Sequence, residues 1–211
     1  MIEMTKEKAL LYPVGIESLF IAMMVGGKDT KSAIPTYEEI DVLDVISELG
    51  IAGNNTTITK WASNKLFVNA SKNTKYTLSL SHVALPQEIK DAILGYVAAK
   101  GIVFNKGTLK EYPMFAVGFV ASLSDGSRVG RWYPRVQVVP SEETYTTTTE
   151  EFEIKDQSLT MEATPLLFND VTEVDFSEAR ASATGVKVED FMKQVICDES
   201  QLATIGTGTG E

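Results

Sequence analysis

One histidine and one cysteine are all this chain offers toward nucleophilic or soft-metal chemistry, and they lie far apart in sequence. His82 ends a run in which Tyr76, Leu78 and Leu80 recur at every second residue. That spacing places it on the apolar face of a strand, where a structural role is the plainer reading. A cysteine nucleophile needs a base beside it. Cys197 sits in a charged stretch and His82 is the sole base of the usual kind. The acidic pairs Glu38-Glu39 and Glu150-Glu151 resemble glycosidase carboxylates only superficially. Neighbouring strand residues point to opposite faces, so neither pair converges on a substrate. The tail Gly206-Thr207-Gly208-Thr209-Gly210 has the composition of a phosphate loop but no helix after it. Arg128, Arg131 and Arg135 flank Trp132 and Tyr133, a mixture that could stack on single-stranded nucleic acid. With many glutamates in the chain, inter-subunit ion pairs are the better use for these three arginines. No catalytic, cofactor-binding or metal-binding residue is expected, and an enzyme is the last of the readings.

Charge is distributed unevenly. Residues 1–139 hold 15 Lys+Arg and 13 Asp+Glu, whereas residues 140–211 hold 4 and 16, so the whole net charge of −10 arises in the last third. An acidic balance disfavours gripping nucleic acid, because phosphate binding needs Lys and Arg to displace counterions. It leaves room for nucleic acid to pass without sticking. The single cysteine cannot form an intramolecular disulfide. No stretch approaches the roughly 18 apolar residues of a membrane span. The N-terminus lacks a signal-peptide core, so synthesis in a cytoplasm is expected.

The elements that would position these residues are mostly strands. Val14 to Val25 suits an inner strand, and Gly26 to Glu39 reads as a long polar loop. Ile40 to Leu49 fits either strand or helix. Thr56–Trp61 and Lys65–Asn69 form a hairpin about Ala62-Ser63-Asn64, and Ser71-Lys72-Asn73 separates it from the alternating strand Lys75 to His82. A helix starts at Pro86, carries Ile89 and Ile93 four apart and closes at Gly95. Asp125-Gly126 joins two extended runs, Phe115–Val120 and Val129–Val139, as a hairpin. Pro134 puts the second run at a sheet edge or a bulge. Leu159, Met161 and Ala163 alternate with polar residues. Ser177 to Ala181 reads as a capped short helix, Val188 to Val195 as another, and the glycine-rich tail as disordered.

The run Thr144–Glu153 is the oddest segment. Threonine favours extended backbone, yet this strand is polar on both faces and gains little from its own core. It makes sense solvated or completed by another copy of the chain.

Taken in order, several segments resemble the major tail proteins of long-tailed bacteriophages, the subunits of the tail tube. They are Val14-Gly15-Ile16-Glu17-Ser18-Leu19-Phe20-Ile21-Ala22, Tyr76-Thr77-Leu78-Ser79-Leu80, and the helix from Leu85-Pro86-Gln87-Glu88 to Ile93-Leu94-Gly95. Then follow Phe115-Ala116-Val117-Gly118-Phe119, Trp132-Tyr133-Pro134-Arg135-Val136, Pro140-Ser141-Glu142-Glu143 and Ser158-Leu159-Thr160 to Thr164-Pro165. The resemblance covers residues 14 to 167; order and spacing carry it, since each piece alone is weakly specific.

It implies a mainly β, sandwich- or barrel-like tail-tube domain over residues 1–167, with a flanking helix and a C-terminal arm over 168–211. It also implies hexameric rings of this chain stacked into a tube in the virion tail, through which the genome leaves. Neighbouring parts would be tape-measure, tail-terminator and tail-tip proteins. It implies no catalytic residue, no cofactor and no membrane anchor. In that setting Glu142, Glu143, Glu150, Glu151 and Glu153 are candidates to line the lumen and repel DNA, which carries one negative charge per about 1.7 Å. Lys28, Asp29 and Lys31, in the long loop, are candidates for ring-to-ring stacking. The alternatives are a monomeric β-sandwich module binding carbohydrate or a host surface, with an exposed aromatic patch around Trp61 or Trp132, and another tail or head completion protein.

Overall fold

The computed structural model describes residues 10–62, 65–140 and 156–206. Within them the chain is mainly β, one antiparallel sheet of eight strands with two short helices. Strands β1 (Pro13–Met24), β2 (Tyr37–Leu43), β3 (Ile46–Ala62) and β4 (Lys65–His82) precede helix α1 (Gln87–Leu94). Strands β5 (Phe115–Leu123), β6 (Arg128–Val139), β7 (Gln157–Ala163) and β8 (Val174–Ser177) follow, then helix α2 (Val188–Met192). Spatial order is β2-β1-β5-β6-β7-β4-β3, and β8 pairs with β6 beside β7.

β5, most of β6 and the second half of β1 are buried on both faces, which is why β5 reads Phe-Ala-Val-Gly-Phe-Val with no polar alternation. Leu19, Ile21, Phe115, Val117, Tyr133 and Val136 point to one side. There they meet Leu43 from one end of the sheet, Leu78 and Leu80 from the other, and Ile89 and Ile93 of α1. Strands so distant in order share a core only because the sheet curls around it. α1 covers the gap: it begins one residue after Pro86 and ends at Gly95, whose positive φ of 60° lets Tyr96 N donate to Asp91 O at 2.8 Å.

On the opposite face Ala22, Ala116, Val120 and Trp132 receive Val188, Phe191, Met192, Val195 and Ile196. The segment expected to be an arm is therefore a second layer. Its approach needs two glycines. A Cβ on Gly118 would lie 2.7 Å from the Trp132 ring and 2.8 Å from Met192 Cε; one on Gly130 would lie 2.9 Å from Val188 Cγ2. Glycine in a strand interior often marks such a close approach.

Several local expectations change. The long loop shortens to residues 28–36, because β2 already starts at Tyr37. Ile40 to Leu49 is strand at both ends, split at Asp44-Val45. The break expected at Ser71-Lys72-Asn73 is a bulge inside one continuous strand: pairing steps from Asn54↔Lys75 to Asn55↔Asn73, and Thr74 Oγ1 donates to Asn54 O at 2.9 Å. The helix expected over Ser177–Ala181 is instead β8 followed by turns, since Val174 and Phe176 alternate and pair with Trp132 and Gly130. Pro134 lies at a bulge in β6, where pairing with β5 steps from Val117↔Tyr133 to Phe115↔Val136. It also falls between the residues paired to β8 and those paired to β7, so its missing N–H costs no ladder bond.

Candidate assembly interface

The three arginines find their acids within the chain. Arg128 bonds Glu178 at 3.1 Å and Glu189 at 2.5 Å. Glu178 also accepts from the backbone of Arg128 and of Val188, so it ties the start of α2 to β6. The Arg128 guanidinium holds the Glu189 carboxyl below its usual range. Arg131 lies 3.4 Å from Glu173 and 3.3 Å from Asp175, and donates to the Tyr133 hydroxyl at 3.3 Å. Burial pushes that phenol up to about 12. Arg135 donates to Thr164 Oγ1 and Pro165 O, both at 2.9 Å, and stands 3.5 Å from Asp29. The three arginines, expected to pair between subunits, thus each have an acid within the chain: β8 and the C-terminal segment supply those of Arg128 and Arg131, and Asp29 supplies that of Arg135.

Asp29 changes role as well. Expected on a stacking surface, it has no exposed side-chain area and accepts from Leu167 N at 2.5 Å. Its Oδ1 has no hydrogen-bond partner among the described residues. Tyr37, at the far end of the same loop, donates to Pro134 O at 2.6 Å. Burial, then the neighbouring Cys197 and Asp29, hold its hydroxyl far above the usual phenol range. Asp29 and Tyr37 are therefore the roots of the loop. Lys31 remains exposed on it, and Lys28 pairs with Glu111 of the segment before β5. The loop of residues 28–36 is thus pinned to the segment before β5.

Two exposed features dominate what remains. First, β4 pairs with β7 only over Tyr76–His82, and β3 pairs only with β4. Beyond Asn54 and Lys75 the hairpin pairs with nothing but itself among the described residues, out to Ala62↔Lys65. At about 3.3 Å per residue that projection is roughly 30 Å long. Residues 51–57 are exposed on both faces. Second, residues 97–111 are exposed apart from Val103, with Val97, Phe104 and Leu109 at 88%, 79% and 100%. The signal for the hairpin was two short runs, Thr56–Trp61 and Lys65–Asn69, about Ala62-Ser63-Asn64; for the loop it was apolar residues among lysines with no period.

His82 is 4% exposed, and burial lowers its pKa. Cys197 is buried against Met24 and Leu166, and burial, with Asp198 and Asp29 nearby, raises its thiol to about 11. A thiol so held is poor in thiolate at neutral pH. Trp132 is fully buried, so the aromatic patch expected there does not form; the Trp61 side chain lies outside the described ones. Glu142, Glu143, Glu150, Glu151 and Glu153, with the whole Thr144–Glu153 strand, also lie outside the described residues. A shallow pocket of about 340 Å³ lies beside β1 and α2, but its Arg128 and Glu189 already bond each other. Among the described residues no three His, Cys, Asp or Glu side chains are placed to share a metal ion, and no helix is long and apolar enough to cross a membrane. Compared with known proteins, the chain matches no family model and no curated protein sequence.

Proposed function

We propose that this chain is a structural subunit that assembles with copies of itself into stacked rings, as the major tail proteins of long-tailed bacteriophages do, forming a tube for genome delivery. The observation that carries the reading is the projecting hairpin. A two-stranded ribbon is marginal in water, and this one extends roughly 30 Å past the last strand that supports it. Its open backbone edges suit docking on a neighbouring subunit by strand addition. The antiparallel sheet, curled about one core, is an architecture compatible with that role. On this reading the loop with Lys28 and Lys31 lies at the same contact zone between rings. Glu142, Glu143, Glu150, Glu151 and Glu153 face the lumen, where acid keeps DNA from adhering. The partners are other copies, tape-measure, terminator and tail-tip proteins; DNA passes without specific binding.

Negative-stain electron microscopy of the purified protein over a concentration series tests this. Rings or striated tubes with an open channel are expected. Uniform monomers at every concentration would overturn the reading in favour of a monomeric binding module.

A further inference from the structure

Residues 96–112 form a closed loop whose ends meet. A Cβ on Gly95 would lie 2.8 Å from Pro113, so the two ends are in contact across the loop's base. Inside, Lys110 lies 4.2 Å over the Tyr96 ring and 5.2 Å from Tyr112. Ala99 and Ile102 exchange hydrogen bonds of 3.0 Å around Lys100 and Gly101, both at positive φ. That is a two-residue hairpin turn with Lys100 at its tip. Gln137 donates to Tyr112 O at 2.5 Å, and Met114 N to Gly27 O at 3.1 Å, so the base is held to β6 and to the neighbouring loop. A compact loop with joined ends is a common carrier of function. Here the base is built while the apolar side chains point out: Phe104 and Leu109 cover nothing among the described residues.

Charge indicates the occupant. The loop carries Lys100, Lys106 and Lys110 against the one acid Glu111, which already pairs with Lys28. In a chain of net charge −10 this is a local cationic patch. The complementary surface is on β2, an edge strand of the sheet. It exposes Glu38, Glu39 and Asp41, none with an ion pair among the described residues, beside Val42 at 55% exposure. We propose that the 96–112 loop of one copy docks on the β2 edge of a second copy, Phe104 and Leu109 covering Val42, while Lys100 and Lys106 reach the acids on both sides of that edge, Glu38 on the face of Val42 and Glu39 and Asp41 on the other. The two surfaces differ, so the contact is heterologous and propagates into a ring or filament. It deepens the tube reading by naming a contact distinct from the hairpin, and rests on it only in requiring self-association.

The test is sedimentation velocity of the full chain and its variants, with circular dichroism to verify folding. All the substituted side chains are exposed, so folding is expected to survive. Lys100→Glu/Lys106→Glu, and separately Glu38→Lys/Glu39→Lys, should each weaken association about tenfold or more. Phe104→Ser/Leu109→Ser should do the same. Combining the four charge reversals in one chain should restore assembly, which a merely structural effect would not. A wild-type chain that assembles while Lys100→Glu/Lys106→Glu assembles equally well overturns this contact and leaves the tube reading standing. A wild-type chain that stays monomeric overturns both. If that monomer bound phosphatidylserine vesicles through Lys100 and Lys106, the loop would be a membrane contact instead.

Discussion

The two halves of β4 show what burial does to one continuous strand. From Tyr76 to His82 it is flanked by β3 and β7, and Leu78 and Leu80 are buried among side chains from both ends of the sheet. From Lys65 to Asn73 it has β3 alone among the described residues. The first half is held by tertiary packing. The second has only a ladder and its own propensity, which in water leaves a hairpin marginal. In the proposed assembly that projection is used outside the chain's own core.

The largest expected effect is in the body. Trp132 is fully buried between Phe20, Gly118 and α2, and its indole N–H donates to Phe191 O at 3.3 Å. Trp132→Ala should cost about 3–5 kcal/mol in chemical denaturation, from lost transfer energy and the cavity left behind. Next comes the buried pair at the root of the loop. Arg135→Met leaves the Asp29 carboxylate enclosed without its cation, and about 3 kcal/mol is expected from the same measurement.

A smaller effect concerns pH. His82 is the only histidine, so a histidine-dependent slope of stability belongs to it alone. Its folded pKa lies below its unfolded value because burial disfavours the charged form. The unfolded chain therefore binds more protons as pH falls past the unfolded value, and the contribution, full above that value, is lost as pH falls through the folded one. Stability should decline as pH falls below the ordinary histidine value of about 6.5, and His82→Gln should flatten that decline.

The smallest stability change should come from the projection. Replacing residues 56–72 by an Asn-Gly turn between Asn55 and Asn73 should shift unfolding free energy by less than about 1 kcal/mol, since loop-closure terms vary slowly with length. The same variant should form no long tubes by electron microscopy. A large loss of stability would show that the projection packs on the body, and the contrast between the halves would collapse.

How much was legible in advance depended on whether a segment's fate was decided locally. α1 was readable because proline, a four-residue apolar step and glycine all act within one helix. The Asp125-Gly126 turn was readable because its backbone demands those residues, and the alternation Tyr76–His82 because one face is core. The C-terminal layer was misread as an arm although its apolar residues, Val188, Phe191, Met192, Val195 and Ile196, follow helical spacing. Its surroundings are acidic, and the helix itself is only five residues long. What it needed was an acceptor surface, and two small residues on distant strands, Gly118 and Gly130, made one.

The amino-acid order alone determined the mainly antiparallel β character, the position of α1, the main turns and the concentration of acid in the last third. These follow from backbone preference and from periodicity within short windows. Only the tertiary structure decided which acids the arginines meet, that Asp29 is buried, and that the C-terminal segment closes a second core. It also decided that half of a long hairpin and one lysine-bearing loop are left without cover among the described residues. Those outcomes depend on which remote surfaces meet once the sheet has curled, and a pattern read along the chain holds no distance between them.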